Sequence, residues 1–342
     1  MPNPQDLEME QLRAFYASLR GRAPEQVTAL PGSGSYRRYF RITEADGGTL
    51  MGAFNADTRE NEAFFYLATH LAGQGLPVPA LYEVSPDRTC YLQQDLGDMT
   101  LLAFLQQHAA DASVVKDVYH KVLDMLFAFQ TQGCRGLDFS RCFPRAAFDR
   151  RAMMWDLNYF KYHFLKLLRV PFDEQRLEDD FESLCRFLCS AGMSFFMYRD
   201  FQSRNVMISP EGKLYGIDFQ GGRAGALPYD VASLLYESRT ALPAVFRDEL
   251  LHYYRALVSR AGLDAEAFMQ HFYGFVYIRL MQAMGAYGFR GLYERKPLFL
   301  QSIPGALQTM AWLEANAVLP VALPELEKVW HRLAVLQWPA VL

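Results

Sequence analysis

The chain has 342 residues, of which 51% are hydrophobic and 21% charged, and its formal net charge at pH 7 is −4. This composition is typical of a soluble globular protein with room for two lobes, each with its own core. The small net charge and the absence of a basic stripe argue against nucleic acid or an anionic membrane surface as a partner.

The N-terminal third predicts a small mixed sheet flanked by a helix. A helical pattern covers residues 7–20, and strand-like runs at 39–43 and 50–54 flank a turn. A second helix is predicted over 59–72, and two further strands over 80–84 and 90–94.

After residues 95–98 the pattern changes to helices, predicted over 113–130, 177–190, 229–238, 246–261 and 265–289. We therefore expect two lobes, residues 1–96 and 97–342. The five cysteines lack zinc-type spacing and are expected to be free thiols. The first residues lack a signal-peptide pattern and no apolar run reaches membrane-spanning length, so we expect a cytoplasmic protein without membrane contact.

A predicted hairpin at 195–218 interrupts the helices and carries the most informative residues. Its strands are expected at 206–208 and 214–217, around a turn at 209–212. If Ile208 pairs with residue 213 or 214, Asn205 falls opposite residue 216 or 217. Asp218 then lies within one or two residues of Asn205 across the ladder, and the loop 199–204 brings Asp200 to the same edge.

Magnesium prefers a few carboxylate or amide oxygens plus substrate phosphates. Asn205 and Asp218 would supply the protein ligands. Asp200 would then accept or orient a substrate hydroxyl for attack on a phosphoryl group. The alternative is a polar hairpin end in which Asp200 and Asn205 only satisfy loop backbone groups.

The chain resembles the aminoglycoside phosphotransferase superfamily, the small-molecule relatives of protein kinases. The resemblance is carried by Tyr198-Arg199-Asp200-Phe201-Gln202-Ser203-Arg204-Asn205, Ile217-Asp218-Phe219-Gln220-Gly221-Gly222-Arg223 and Tyr229-Asp230-Val231-Ala232-Ser233-Leu234-Leu235, with further matches between about residues 30 and 305. Within the superfamily, these segments look like the branch of bacterial N-acetylmuramate/N-acetylglucosamine anomeric sugar kinases.

The resemblance implies an α+β, bilobal, protein-kinase-like fold with a small mixed-sheet N-lobe and a larger, mainly helical C-lobe. It implies ATP and Mg²⁺ as cofactors, Asp200 as the catalytic base, and Asn205 and Asp218 as magnesium ligands. Asp230 would brace the catalytic loop; a plain N-cap for a helix over 231–238 is the simpler interpretation, and both roles are compatible.

On the nucleotide side, we expect phosphates near a glycine-rich turn and adenine against the segment between the lobes. The residues expected to bind nucleotide are Gly32, Ser33, Gly34, Ser35, Arg37, Arg38, Gln94, Asp95 and Leu96. Arg37 stands where such a loop has its third glycine, and the strand at 50–54 lacks the lysine that protein kinases carry there.

An arginine among Arg37, Arg38 and Arg41 could replace the missing lysine. Glu62, beside Glu60 on the following helix, is then either a partner for that cation or part of a solvated face. Tyr198 stands in place of the usual histidine and is expected to act as a packing residue.

Arg223, Arg279 and Gln282 are candidate acceptor-binding residues. The segment 143–164 interleaves basic and aromatic side chains, which suits sugar rings but is more typical of a helix with an aromatic core face. We expect an acceptor that is a small molecule, an amino sugar phosphorylated at its anomeric hydroxyl in cell-wall sugar salvage. The alternatives are an aminoglycoside- or choline-type kinase, or a nucleotide-binding pseudokinase acting through a protein partner; the arginine and lysine at 141–163 and 279–296 disfavour polycationic acceptors.

Overall fold

A computed structural model describes residues 4–32 and 36–335. The N-terminal part holds a five-stranded sheet in the order β1-β2-β3-β5-β4. Its strands are β1 (Gln26–Ala29), β2 (Arg38–Thr43), β3 (Thr49–Phe54), β4 (Leu81–Val84) and β5 (Cys90–Gln94).

Every pairing in this sheet is antiparallel, so the expectation of a mixed sheet is wrong. The crossover from β3 to β4 makes those two strands point the same way, but β5 returns between them. Each strand therefore meets only neighbours of opposite direction. The other strands were predicted, whereas β1 has only four residues and was missed.

Two helices pack with the sheet: α1 (Pro4–Arg20) and α2 (Thr58–Gly73). The carboxylate of Asp57 caps α2 by accepting the backbone N–H groups of Arg59 and Glu60. The buried face of α2 carries Asn61, Phe64 and Phe65. The burial of this face determines which side chains of α2 point inward and which point to solvent.

The C-terminal part is mainly helical. Its helices are α3 (Leu101–Gln107), α4 (Ala112–Gln132), α5 (Arg150–Phe160), α6 (Glu174–Cys189), α7 (Pro228–Leu235), α8 (Ala244–Arg260), α9 (Ala265–Ala286), α10 (Pro297–Leu300), α11 (Ile303–Asn316) and α12 (Pro324–Ala334). Short π-helical turns extend α5 over Lys161–Leu165 and α9 over Tyr287–Tyr293. In the described ranges, no helix combines the length and hydrophobicity that crossing a membrane requires.

These helices confirm the predicted helical regions, and α3, α5 and α10 to α12 are additions. The predicted lobe boundary stays a prediction; it falls between the end of β5 at Gln94 and the start of α3 at Leu101. All five cysteines are free thiols, as expected.

The hairpin has the predicted register. Strand β7 (Val206–Ile208) pairs with β8 (Leu214–Gly216), with Ile208 opposite Leu214 and Val206 opposite Gly216. The N–H of Ile217 donates to the carbonyl of Asn205 at 2.9 Å, which places Asp218 one residue beyond Asn205. The run 195–197 is a separate strand, β6 (Phe195–Met197), which pairs with β9 (Arg223–Gly225).

Candidate active site

Hydrogen bonds from one side chain tie Asp200, Asn205 and Asp218 together at the end of the hairpin. The amide nitrogen of Asn205 donates to the backbone carbonyl of Asp200 at 2.9 Å and to the Asp218 carboxylate at 3.3 Å. The other carboxylate oxygen of Asp218 accepts the Gln220 amide at 2.9 Å. The structure therefore brings together the three residues whose convergence the register predicts.

Asp230 holds the backbone that precedes Asp200. Its buried carboxylate accepts the N–H groups of Tyr198 at 2.8 Å and Arg199 at 2.9 Å, and the Gln130 amide at 3.1 Å. Burial raises its pKa to about 7, although these donors favour the charged form. The N-cap interpretation is wrong because α7 already begins at Pro228, so Asp230 lies inside its first turn.

Arg199 holds the loop 199–204 in place through contacts with α5 and Tyr229. Its φ of 84° is in the left-handed region, which a non-glycine residue adopts only when its surroundings hold it there. The guanidinium forms an ion pair with Asp156 on α5 at 2.6 Å and donates to the Tyr229 hydroxyl. It also lies over the rings of Phe148 and Tyr229, at 4.9 and 5.3 Å from their centroids.

Tyr198 is a packing residue, as predicted for the position that usually holds histidine. Its side chain is fully buried, with edge-to-face contacts to Phe129, Phe201 and Phe219. Its hydroxyl donates to the Ile217 carbonyl at 2.7 Å. This bond connects the start of the catalytic loop to the residue before Asp218.

A cleft with about 530 Å³ of empty space opens beside Asp200. We call it the acceptor cleft. Its lining residues are Asp200, Gln202, Arg204, Glu237, Ser238, Arg239, Arg279, Gln282, Ala283, Ala286, Tyr287, Phe299 and Ser302.

Two of the three predicted acceptor residues line this cleft. The buried Arg279 donates to Ser233 at 3.0 Å, bonds the Gln282 side chain, and lies 3.6 Å from the Asp200 carboxylate. Arg223 does not line the cleft. It is 5% exposed on β9, where its Nε donates to the Gly221 carbonyl, and burial followed by the Arg199 charge lowers its pKa to about 10.

The aromatic segment 143–164 is mainly helix α5 and its extension, and it contributes no residue to the acceptor cleft. Its buried residues face the core, which confirms the helical interpretation. Its contribution to the site is indirect, through the Asp156–Arg199 pair. Glu237 and Arg239, in the connection between α7 and α8, line the cleft but were missed because no motif marks that connection.

On the expected nucleotide side, Arg37 is the arginine that meets a glutamate of α2, Glu60. It is 3% exposed, lies 3.1 Å from Glu60 and 3.4 Å from the Asn61 amide oxygen, and sits 5.1 Å from the Phe64 ring centroid. Phe64 in turn stacks on Phe219, the residue after Asp218.

The other basic candidates have different partners. Arg38 pairs with Glu8 at 2.7 Å, and Arg41 pairs with Asp95 at 2.6 Å and Asp98 at 2.8 Å. Of the two interpretations of Glu62, the role as partner of the phosphate-side cation is wrong and the solvated helix face is correct. Glu62 pairs with Arg88 at the surface, because it points away from the face of α2 that packs on the sheet.

The segment between the lobes has backbone groups without a backbone hydrogen bond among the described residues. The Gln94 N–H donates to the Ala80 carbonyl, and the Asp95 carboxylate accepts the Gly97 N–H. The peptide groups of Leu96, whose side chain is buried, make no backbone hydrogen bond within the described chain. Gly32 is exposed, while Ser33, Gly34 and Ser35 lie outside the described residues.

An antiparallel sheet joined to a helical part, with Asp200, Asn205 and Asp218 brought together at the end of a hairpin, is typical of a kinase-like phosphotransferase. A model of the phosphotransferase enzyme family matches residues 26–268. The chain belongs to this family, whose enzymes include the aminoglycoside phosphotransferases, and is an enzyme that transfers phosphate to an alcohol group.

Two curated relatives carry the same name. The N-acetylmuramate/N-acetylglucosamine kinase of Pseudomonas aeruginosa is 26% identical over 244 residues, covering 70% of this chain and 68% of the relative. The kinase of that name from Neisseria meningitidis serogroup B is 26% identical over 276 residues, 79% of each chain.

Among solved structures, a thermostable mutant of aminoglycoside phosphotransferase APH(4)-Ia, in a ternary complex with ADP and hygromycin B, has a TM-score of 0.57 at 12% identity. The match covers 90% of this chain and 99% of that one. It supports the bilobal α+β fold.

Proposed function

We propose that the protein is an ATP- and magnesium-dependent kinase that phosphorylates the anomeric hydroxyl of an amino sugar in cell-wall sugar salvage. The acceptor is of the N-acetylmuramate or N-acetylglucosamine type. The observation that carries the proposal is the position of Asp200, which lines the acceptor cleft while Asn205 ties its backbone to Asp218. ATP is a cytoplasmic co-substrate, so the activity belongs in the cytoplasm.

Asp200 acts as the base. It accepts the proton of the acceptor hydroxyl as the hydroxyl oxygen forms a bond to the γ-phosphorus of ATP. The bond from that phosphorus to the bridging oxygen breaks, and its electron pair leaves with ADP. Arg279, 3.6 Å from the Asp200 carboxylate, holds the base in place and keeps a positive charge beside it.

Asn205 and Asp218 suit magnesium. The amide nitrogen of Asn205 is used in hydrogen bonds, so its amide oxygen faces outward from them, and no described residue donates to that oxygen. One amide oxygen and one carboxylate are the protein share that Mg²⁺ takes when phosphates and water complete its octahedron. The ion would neutralise charge on the phosphates during transfer.

Arg37 takes the place of the missing strand lysine. It is paired with Glu60 on α2, as a phosphate-binding cation is paired in kinases, and its contact with Phe64, which stacks on Phe219, links it to the residue after Asp218. Adenine would bind the free peptide groups of Leu96, between the lobes. Gly32, Ser33, Gly34 and Ser35 would lie over the phosphates.

The charge of the acceptor cleft disfavours a polycationic aminoglycoside. Three arginines, Arg204, Arg239 and Arg279, face only two carboxylates, Asp200 and Glu237. A choline-type acceptor is disfavoured as well, since quaternary ammonium groups are recognised by aromatic cages and the cleft has only Tyr287 and Phe299 as aromatic lining. The names of the two curated relatives support an amino sugar.

Two measurements test the proposal. The first compares ADP release with N-acetylglucosamine and with its methyl glycoside, whose anomeric oxygen is blocked. We expect turnover of the free sugar alone. Equal turnover of the glycoside would move the reaction to another hydroxyl, and turnover of choline or an aminoglycoside without any sugar would refute the acceptor class.

The second measurement uses Asp200→Ala. Loss of the base lowers kcat by about 10²- to 10⁴-fold, while the melting temperature and nucleotide affinity stay close to those of the wild type. Asp117→Ala removes an exposed carboxylate on α4 and is the matched control. Turnover by Asp200→Ala at the wild-type rate would refute the assigned role.

A further inference from the structure

Two guanidinium groups of the acceptor cleft lack a protein partner. Neither Arg204 nor Arg239 donates a hydrogen bond or forms an ion pair with any residue in the described ranges. Both are half-buried at the cleft wall. Burial, and then the neighbouring Arg204 charge, lowers the pKa of Arg239. A bound anion would relieve the repulsion between these two cations and accept hydrogen bonds from both guanidinium groups.

The other charged groups of the cleft are already engaged. Arg279 meets Asp200, Ser233 and Gln282. Glu237 accepts the backbone N–H of Ser203 at 3.1 Å, and burial raises its pKa toward the neutral form. The Glu237 charge acts on both arginines, but among the described residues neither acidic side chain forms an ion pair with Arg204 or Arg239.

The lining shows which substrate brings the anion. All thirteen lining residues lie between 200 and 302, and among the described residues none belongs to the sheet or to the segment between the lobes. The nucleotide side has its own cation, Arg37. The unpaired arginines thus face the acceptor.

We propose that Arg204 and Arg239 form a subsite for a carboxylate on the acceptor sugar. This inference rests on the proposed function and names the preferred member of its substrate class. N-acetylmuramate differs from N-acetylglucosamine by a lactyl ether whose carboxylate is ionised at neutral pH. The planar guanidinium fork matches a carboxylate with two parallel hydrogen bonds, so the subsite favours N-acetylmuramate over the neutral sugar.

The test measures the ratio of kcat/KM for N-acetylmuramate to kcat/KM for N-acetylglucosamine. In Arg204→Gln and in Arg239→Gln we expect this ratio to fall about 10- to 100-fold, the loss of a charge-assisted hydrogen bond. Arg239→Lys keeps the positive charge, so this ratio should fall less in Arg239→Lys than in Arg239→Gln. Arg186→Gln, which removes an exposed arginine on α6, leaves the ratio at the wild-type value.

A ratio that stays within twofold of wild type in both glutamine variants overturns the subsite, whatever their absolute activity. A rise in KM for ATP with an unchanged ratio assigns the arginines to the nucleotide and also overturns it. Calorimetric binding of each sugar gives a readout without turnover. If the wild type turns over neither sugar, the proposed function fails; the subsite then stands only if N-acetylmuramate still binds more tightly and the variants lose that preference.

Discussion

The ion pair between Asp156 and Arg199 should be the most sensitive support of the catalytic loop. The two side chains are 11% and 12% exposed and their charged atoms lie 2.6 Å apart. Asp156→Ala leaves the Arg199 guanidinium buried with the Tyr229 hydroxyl as its remaining hydrogen-bond partner among the described residues. Removing one partner of a buried pair costs about 3–5 kcal/mol, and the slight exposure of this pair places our expectation near 3 kcal/mol.

The loss should extend to activity, because Arg199 precedes Asp200 and has a positive φ that its contacts maintain. Without its carboxylate partner, the side chain no longer pins that conformation. We therefore expect kcat to fall together with the free energy of unfolding. The assays are urea denaturation followed by circular dichroism, and steady-state turnover of the best sugar acceptor.

A double-mutant cycle separates the unpaired charge from lost packing. In Asp156→Ala combined with Arg199→Met, neither member of the pair is left as an unpaired buried charge, so the double variant should be more stable than Asp156→Ala alone. Asp156→Asn keeps an acceptor for the guanidinium and should fall between the wild type and Asp156→Ala. A loss below 1 kcal/mol in Asp156→Ala, or additive losses in the cycle, would refute this reasoning.

Three further predictions concern the surrounding groups. Gly216→Ala places a methyl group 2.6 Å from the Tyr198 hydroxyl, so we expect a loss of about 1–3 kcal/mol in urea denaturation, partly relieved by Tyr198→Phe. Burial raises the pKa of Asp230 to about 7, so its contribution to the free energy of unfolding is present below pH 4 and is lost as the pH rises through 7. Between pH 5 and pH 8 the wild type should therefore lose about 2–3 kcal/mol of stability relative to Asp230→Asn. Parallel stability-versus-pH profiles of the two proteins would contradict this. Glu60→Gln should raise KM for ATP while Glu62→Gln, which changes only a surface pair, should not; equal effects would argue against Arg37 as the phosphate-side cation.

Local rules were sufficient for the hairpin. The turn at 209–212 and the alternation of its strands fix the pairing, and a pairing error of one residue would still have kept Asn205 near Asp218. Such rules reach only neighbours in the chain. The partner of β6 is β9, a three-residue strand with no pattern of its own, and Asp156 meets Arg199 across 43 residues.

The choice between Glu60 and Glu62 could have been made from the sequence. Glu60 precedes Phe64 by four residues, so the two share a face of α2, whereas Glu62 is rotated from that face by about 200°. The apolar stripe of the helix therefore already indicates which glutamate points inward. By contrast, the partners of Arg38 and Arg41 depend on how α1 and the segment between the lobes pack on the sheet, which no local pattern encodes.

The depth at which Arg37 lies explains why an arginine is suited to this position. Burial disfavours the charged form of lysine and lowers its pKa, so a lysine at 3% exposure tends to lose its proton. An arginine stays charged in proteins and can spread its donors over several acceptors, here including Glu60 and Asn61. Its flat face also packs on the Phe64 ring. If Arg37 is the phosphate-side cation, as proposed, its buried position before β2 and against the Phe64 ring suits an arginine, whereas a kinase with this cation on an open strand face can use a lysine.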